Sequence, residues 1–240
     1  MDKRTKELKI AYQDLESFSY TVSHELKTPI REIDAYMECI EEDSSDCVSE
    51  DTREDMKSVR RICANTIQLV TDMMLYAKAG YTVLNKKKID MCSLVHKCVE
   101  DLLLNQPDKQ IQLNCYTMPE LYGDEFLLTQ AVANIISNSV KYRKKNIPLV
   151  IDVGCMENEK NYTYYFHDNG VGFDTVLSDK VFTLFNRLHN ETEFEGNGVG
   201  LATVRRIIER HFGTSGIIGS KNQGCTVFWV FDKEKLKNIQ

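Results

Sequence analysis

His24 stands in the segment Ser23-His-Glu-Leu-Lys-Thr-Pro29. Its neighbours Val22 and Leu26 belong to an apolar seam, and two residues on an α-helix is about 200° of rotation, so His24 points away from that seam toward solvent. Glu25 is adjacent, and Thr28 shares the His24 face at i+4. Pro29 lacks an N–H and disfavours helical geometry just before it, favouring a kink at Lys27–Thr28. An exposed imidazole beside a carboxylate and one turn from a hydroxyl is a candidate nucleophile. His24 has no second His at i+4, which excludes the zinc-protease pattern.

Three further segments carry chemistry. Asn134, Asn138 and Lys141 fall at i, i+4 and i+7 and share one helical face, with Tyr142 next to them. Two amide oxygens and one cation along a stripe suit a hydrated Mg²⁺ and the phosphates it bridges. Asp168-Asn-Gly170-Val-Gly172 follows a strand pattern. A carboxylate at a strand end can accept a hydrogen bond from an exocyclic amine, while glycines let backbone approach a flat ring. Gly196-Asn-Gly198-Val-Gly200-Leu201 leads into a helix, where unbonded N–H groups and the positive dipole end favour an anion. The P-loop pattern is absent, and the glycine spacing does not fit a dinucleotide-binding turn.

The elements that must position these residues fall into two textures. Residues 1–84 carry one proline and no glycine before Gly80. Steps of four and three from Leu8 visit Tyr12, Leu15, Ser19, Val22, Leu26, Pro29, Ile33, Tyr36 and Ile40, a heptad-like seam. After the acidic run Glu41–Asp51, with Ser49 and Asp51 as N-cap candidates, a second seam runs through Met56, Val59, Cys63, Thr66 or Ile67, Val70, Met73 and Ala77. Gly80 is its expected end. A two-helix hairpin has too little core to stand alone, so two copies are expected to pair as a four-helix bundle. Thr82–Lys88 reads as a polar linker. Beyond it, Met91–Leu104, Gly123–Lys141 and Leu201–His211 read as helices. Ile111–Tyr116, Leu149–Cys155, Tyr162–His167, Gly216–Ser220 and Cys225–Phe231 read as strands. This describes an α+β domain with helices on one face of an antiparallel or mixed sheet.

The 240 residues are 42 % hydrophobic and 28 % charged, enough apolar material for a globular core. A net charge of −6 argues against nucleic acid as the main partner. No stretch reaches the roughly 20 apolar residues of a membrane helix, and the polar N-terminus is unlike a secretory leader, so the expected compartment is the reducing cytoplasm without direct membrane contact. None of the eight cysteines (39, 47, 63, 92, 98, 115, 155, 225) is spaced C-x₂₋₄-C from another. They read as small half-buried apolar residues rather than a zinc cluster or a disulfide framework.

In their order, these segments resemble the catalytic core of a two-component sensor histidine kinase. Ser23–Pro29 resembles its H box. Asn134–Tyr142 resembles the N box, Asp168–Gly172 the G1 box, Phe182–Arg187 the F box and Gly196–Gly200 the G2 box of a Bergerat-type ATP-binding domain. Phe185–His189, with Glu195–Leu201 close behind, is similar to phytochrome-type bacterial kinases. One departure is Phe212-Gly213, where the family usually has a Gly-Gly pair after the last helix's final His.

The resemblance implies a multidomain chain. Residues 1–84 would be a dimerisation and histidine-phosphotransfer hairpin forming a dimeric four-helix bundle, and residues 85–240 an α/β-sandwich ATP-binding domain. It implies that ATP and Mg²⁺ are used and that the homodimer passes phosphate from His24 to an aspartate of a response-regulator receiver domain. Glu25 would orient and deprotonate His24, and Thr28 would position water when the regulator is dephosphorylated. Asn138 would be the main Mg²⁺ ligand, with Asn134 beside it. Lys141 and Arg187 would meet phosphates, and Tyr142 would lie against adenine. Asp168 would read the adenine amine, with Gly170 and Gly172 making room. Gly196, Gly198 and Gly200, ahead of Leu201, would frame the phosphates. Residues 173–195 would form a lid. A full-length protein could be membrane-anchored through a sensor that this stretch lacks. The alternatives are a gyrase- or chaperone-type ATPase of the same fold, against which the His24 segment argues, and a non-catalytic nucleotide-binding scaffold.

Overall fold

The computed structural model describes residues 23–42, 49–81, 83–106, 109–174, 180–186 and 197–237. Contacts divide the chain into two compact units, Met1–Tyr81 and Thr82–Gln240.

The first unit is helical. Residues 23–42 (α1) and Glu50–Tyr81 (α2) are its described helices. Ser49 caps α2, accepting from the Thr52 N–H at 3.2 Å. Glu50 and Asp51 lie in the first turn and Lys78 in the last, signs that suit the helix dipole. The helix runs through Gly80 to Tyr81, one residue beyond the expected end. Met56, Cys63 and Val70 of the second seam are buried at seven-residue spacing, whereas Met73 is 48 % exposed. Arg60 of α2 joins the two helices, bonding Asp34 at 3.1 Å and Glu41 at 2.8 Å. On α1 the covered stripe is Ser23, Lys27, Ile30, Asp34, Met37 and Glu41. The first seam lies one residue away, and Leu26, Ile33, Tyr36 and Ile40 on it remain 44–70 % exposed. The seam up to Val22 lies outside the described residues.

The second unit is an α/β sandwich. Its five-stranded sheet runs β2 (Ile111–Cys115), β4 (Leu149–Glu157), β5 (Asn161–Asp168), β7 (Gly224–Asp232), β6 (Gly213–Ser220). The β2–β4 pair is parallel and the rest are antiparallel, so the sheet is mixed. Helices α3 (Met91–Asn105), α4 (Glu125–Lys141) and α5 (Gly200–Arg210) pack side by side, with α4 between the other two. Ile151, Val153, Tyr164, Phe166, Val227, Trp229 and Phe231 supply the sheet's contribution to the core, all 4 % exposed or less. They alternate along their strands as a one-sided sheet requires. A short helix α6 (Lys233–Lys237), which the sequence did not suggest, follows β7.

Two segments differ from expectation. The lysine run is not a linker: Lys86–Ile89 forms β1 and pairs antiparallel with β3 (Leu121–Asp124). Its cations are used locally, Lys87 with Glu125, Lys88 with Glu120 at 3.9 Å, and Lys86 over the Phe212 ring at 4.8 Å. Gly123 and Asp124 accordingly end a strand, and α4 starts at Glu125. Asp124 is its N-cap, accepting from Leu127 N–H at 3.1 Å. At the departure from the family pattern, Phe212 takes φ +62°. The left-handed turn is therefore kept without glycine, at a strain that glycine would avoid.

Cys92 and Cys115, 23 residues apart, meet as a disulfide pair with Cα atoms 6.1 Å apart. This corrects the reading of the cysteines as apolar residues outside any disulfide, although both are half-buried as expected. The first turn of α3 sits over the end of β2, a tertiary proximity that linear spacing does not encode.

Candidate functional site

The sequence-selected residues occupy two places, one in each unit. On α1, His24 and Glu25 are exposed, their side chains 70 % and 76 % accessible, with Nδ1 and Oε1 3.9 Å apart. The Thr28 hydroxyl donates to the His24 carbonyl at 3.1 Å. That bond uses the hydroxyl proton and leaves its oxygen lone pairs toward solvent.

In the second unit the N-terminus of α5 meets the polar face of α4. Gly200 opens α5, and a Cβ built there would lie 3.2 Å from Asn134 Oδ1 and 3.9 Å from Asn138 Nδ2. A side chain at position 200 would therefore displace Asn134. Val199 precedes α5 and gives it no side-chain cap. Gly198 has φ +66°, and a Cβ there would come within 2.9–3.0 Å of Phe185 and Asn186 backbone. Phe185 N–H donates to Gly198 C=O at 3.0 Å, fastening the segment 180–186 to the glycine loop. Val181 and Phe182 are buried, and the Arg205 guanidinium lies 5.4 Å from the Phe182 ring. Leu201 is half-buried in the first turn of α5. Lys141 Nζ sits 4.5 Å from the Tyr142 ring centroid, where the α4 helix ends. Arg187 and Gly196 lie outside the described residues.

Asp168 ends β5 and is 6 % exposed. Oδ1 accepts from Gly170 N–H at 2.9 Å and Cys225 N–H at 3.4 Å. Oδ2 accepts from the Cys225 thiol at 3.0 Å and shares the single Ser139 hydroxyl proton, at 3.2 Å, with the Ile135 carbonyl at 3.1 Å. A buried carboxylate with four donors is fixed in place and compensated for lost hydration. Burial first, then the nearby carboxylate, push the Cys225 thiol far above its ordinary range. Cys225 thus serves as a hydrogen-bond donor and not as a nucleophile. The glycines beside Asp168 are sterically required. A Cβ on Gly170 would meet Tyr142 O at 2.6 Å, and one on Gly172, at φ +63°, would meet Ser220 O at 1.9 Å. Val171 N–H donates to Tyr142 O at 2.9 Å, and Asn222 N–H to Val171 O at 2.7 Å. The loop after β5 is thereby pinned between the end of α4 and the β6–β7 turn.

Four positioning residues were not apparent in the sequence. Ser139 and Cys225 hold Asp168. Asn169 accepts from Val150 N–H at 3.0 Å and donates to Pro148 O at 3.0 Å, which extends the β4 edge. His211, 2 % exposed, bonds Ile207 O through Nδ1 at 2.7 Å and accepts Asp124 N–H at Nε2, 2.9 Å. That tautomer follows from the partners, a carbonyl on one side and an N–H on the other. His211 therefore couples the end of α5 to the start of α4, the two helices that face each other across the site. Ser139 had a local signal beside Asn138 on α4, Asn169 beside Asp168 in its motif, and His211 as the final His of the last helix, whereas Cys225 had none.

The arrangement can chelate through two amides, hold an anion at a glycine-flanked helix start, and present a buried carboxylate beside a glycine loop whose two glycines are themselves buried. Residues 123–235 match the family described as Histidine kinase-, DNA gyrase B-, and HSP90-like ATPase. The chain is similar to the Phytochrome-like protein Cph1 of Synechocystis, 26 % identical over 216 residues, 90 % of this chain and 29 % of that one. It is similar to the Methanogenesis regulatory histidine kinase FilI of Methanothrix harundinacea, 27 % identical over 230 residues, 95 % of this chain and 26 % of that one. The chain thus spans less than a third of these relatives' length. Full-length ShkA in complex with AMPPNP matches in fold with TM-score 0.65 at 20 % identity, over 89 % of this chain and 45 % of that one.

Proposed function

We propose, for a chain that carries the catalytic core of a sensor histidine kinase, that it moves the γ-phosphoryl group of ATP to His24 and from there to a receiver-domain aspartate of a response regulator. The observation that supports this most is the convergence of Asn134, Asn138, Gly198, Gly200 and the buried Asp168 in the ATPase-family domain of a chain that also exposes His24 beside Glu25.

The chain's own residues divide the work. Asp168, held by four donors, accepts the adenine amine, and exchange of the Cys225 thiol frees a lone pair for it. Gly170 and Gly172 keep side chains out of the ring's path. The α5 start and the glycines before it hold phosphate oxygens through backbone N–H groups. Lys141 and Arg187 add positive charge, and Tyr142 packs on the base. Asn138, with Asn134 beside it, would hold Mg²⁺, and the amide oxygens at this site fit a cation that keeps several waters. Mg²⁺ would neutralise phosphate charge during transfer. His24 attacks phosphorus through a neutral ring nitrogen while Glu25 accepts its proton from the other nitrogen and fixes the ring. Thr28 orients water in the reverse, dephosphorylating reaction. Residues 1–84 form the dimerising phosphotransfer unit, residues 85–240 the ATP-binding unit, and 173–195 close over nucleotide. Among the described residues no helix is long and apolar enough to cross a membrane. A cytoplasmic site of action is part of this proposal.

The test is incubation with γ-labelled ATP and Mg²⁺, then acid and alkali treatment. The expected product is label that is lost in acid, survives alkali and is absent in His24→Gln. Phosphate release with no labelled protein would support a plain ATPase instead.

A further inference from the structure

Away from the nucleotide site, three metal-ligating side chains converge. Cys92 is the second residue of α3, and its N–H bonds the capping Asp90 at 2.9 Å, which fixes the first helical turn. His96 is one turn further along and lies on the same face. Its Nδ1 is 2.9 Å from Cys92 O and 3.7 Å from Cys92 Sγ. Cys115 ends the edge strand β2, in register with buried Val153, so its side chain points to the helix-covered face. One ligand atom from each of Cys92, His96 and Cys115 lies within 4.8 Å of the others, and this is the one such trio among the described residues.

We propose that reduced Cys92, His96 and Cys115 bind a single thiophilic d¹⁰ cation of the Zn²⁺ class, with water or an exogenous thiol in the fourth position. Two sulfurs and one imidazole are the donor set such a cation selects, and three protein ligands with one open place is an established zinc arrangement. The dimensions agree. Zn–S bonds of ~2.3 Å in a tetrahedron put sulfurs ~3.8 Å apart. Cysteines whose Cα atoms are 6.1 Å apart reach this by side-chain rotation. His96 Nδ1 is the nitrogen that lies beside Cys92 Sγ, 3.7 Å away, so it ligates by exchanging its contact with Cys92 O for the cation, and Nε2 keeps the N–H. The cysteines are half-buried and His96 is exposed, so an ion has an entry path. Binding releases two thiol protons and transfers no electrons. The same sulfurs joined as a disulfide hold no cation, so occupancy requires the reduced protein. The linear C-x₂₋₄-C test could not find this group, because its helix pair is C-x₃-H and its third ligand lies on a neighbouring strand.

The test uses the full chain, reduced with a phosphine and freed of metal, titrated with Co²⁺ and then Zn²⁺. The expected result is one equivalent of Co²⁺ giving sulfur-to-metal charge-transfer bands and the visible bands of a tetrahedral site, both removed by Zn²⁺. Cys92→Ser and Cys115→Ala should abolish the charge-transfer bands, and His96→Ala should weaken binding ~10–100-fold. Zn²⁺ should raise the unfolding temperature of the parent protein and not of Cys92→Ser. Retained ATP binding by each variant controls for folding. No charge-transfer band, bands unchanged by Cys92→Ser, or a Cys92–Cys115 bond that resists reduction each overturn the proposal.

Discussion

Thr28 and Asp168 show how a single hydrogen bond decides a role. Thr28 gives its proton to the His24 carbonyl, so toward solvent it acts as an acceptor and can orient a water but not protonate a phosphate. Thr28→Ala should therefore leave autophosphorylation near the parent rate. It should slow dephosphorylation of the cognate regulator by roughly 10–100-fold, the scale of ~1.4–2.8 kcal/mol. Both rates measured on one variant decide it, since equal losses would reduce Thr28 to a helix-supporting residue beside Pro29. Asp168→Asn exchanges an acceptor oxygen for an NH₂ among groups that all donate. A mismatched polar pair in a buried site costs about 1–3 kcal/mol, so ATP affinity should drop ~10–100-fold by calorimetry. Ser139→Ala removes one donor while keeping the carboxylate, and should bind ATP within about threefold of the parent. Equal binding by Asp168→Asn and the parent would confine the carboxylate to closing the loop at Gly170. The exposure of His24 was legible because it needs only a helical period and an apolar seam. Three of the four donors to Asp168 were not, since Ser139 and Cys225 lie 29 and 57 residues away.

At the scale of elements, local pattern identified those whose faces are strongly apolar, and failed where a partner decides. The helices α3 and α5 and the four longer strands appear where periodicity placed them, to within a few residues. The strand β1 does not, because its three lysines signal charge and nothing local signals pairing with Leu121–Asp124. His211 is an element-scale device of the same kind, a side chain after α5 that fixes the start of α4. Burial lowers its pKa below the ordinary 6.5, outweighing the opposing bond to Ile207 O. The folded state therefore prefers the neutral ring. Its stabilisation is fully present above about pH 6.5 and is lost as pH falls toward the depressed folded value. Unfolding in urea at pH 7.5 and 5.5 should show a loss across that interval, bounded by the unfolded-state titration at about 1.4 kcal/mol. The slope should flatten in His211→Gln, whose amide can donate to Ile207 O and accept from Asp124 N–H. An unchanged slope in that variant would assign the acid sensitivity to other groups.

For the whole molecule, the exposed stripe Leu26, Ile33, Tyr36 and Ile40 on α1 sets the expected assembly. Each residue is 44–70 % exposed in the single chain, while the stripe one residue over faces α2. Covering half of such a side chain stabilises by about 1 kcal/mol, so four from each of two copies contribute about 8 kcal/mol. Association costs at least ~4 kcal/mol in lost freedom. The remainder corresponds to no better than about millimolar binding. A dimer held by the described residues alone would therefore be weak. The sequence extends the same seven-residue spacing back through Val22, Ser19, Leu15, Tyr12 and Leu8, and burial of that added apolar area is expected to bring a dimer's affinity to the micromolar range. Two outcomes follow for sedimentation at micromolar concentration. The full chain should be a dimer, and a chain shortened to begin at Ser19 should be largely monomeric. Ile33→Asp with Tyr36→Asp should dissociate the full-length dimer, because each charge would have to leave water at the centre of the stripe. ATP binding should survive in that variant, since its residues lie in the other unit. A monomeric parent chain, or a dimer indifferent to both aspartates, would mean that the α1 stripe is covered by something other than a second copy.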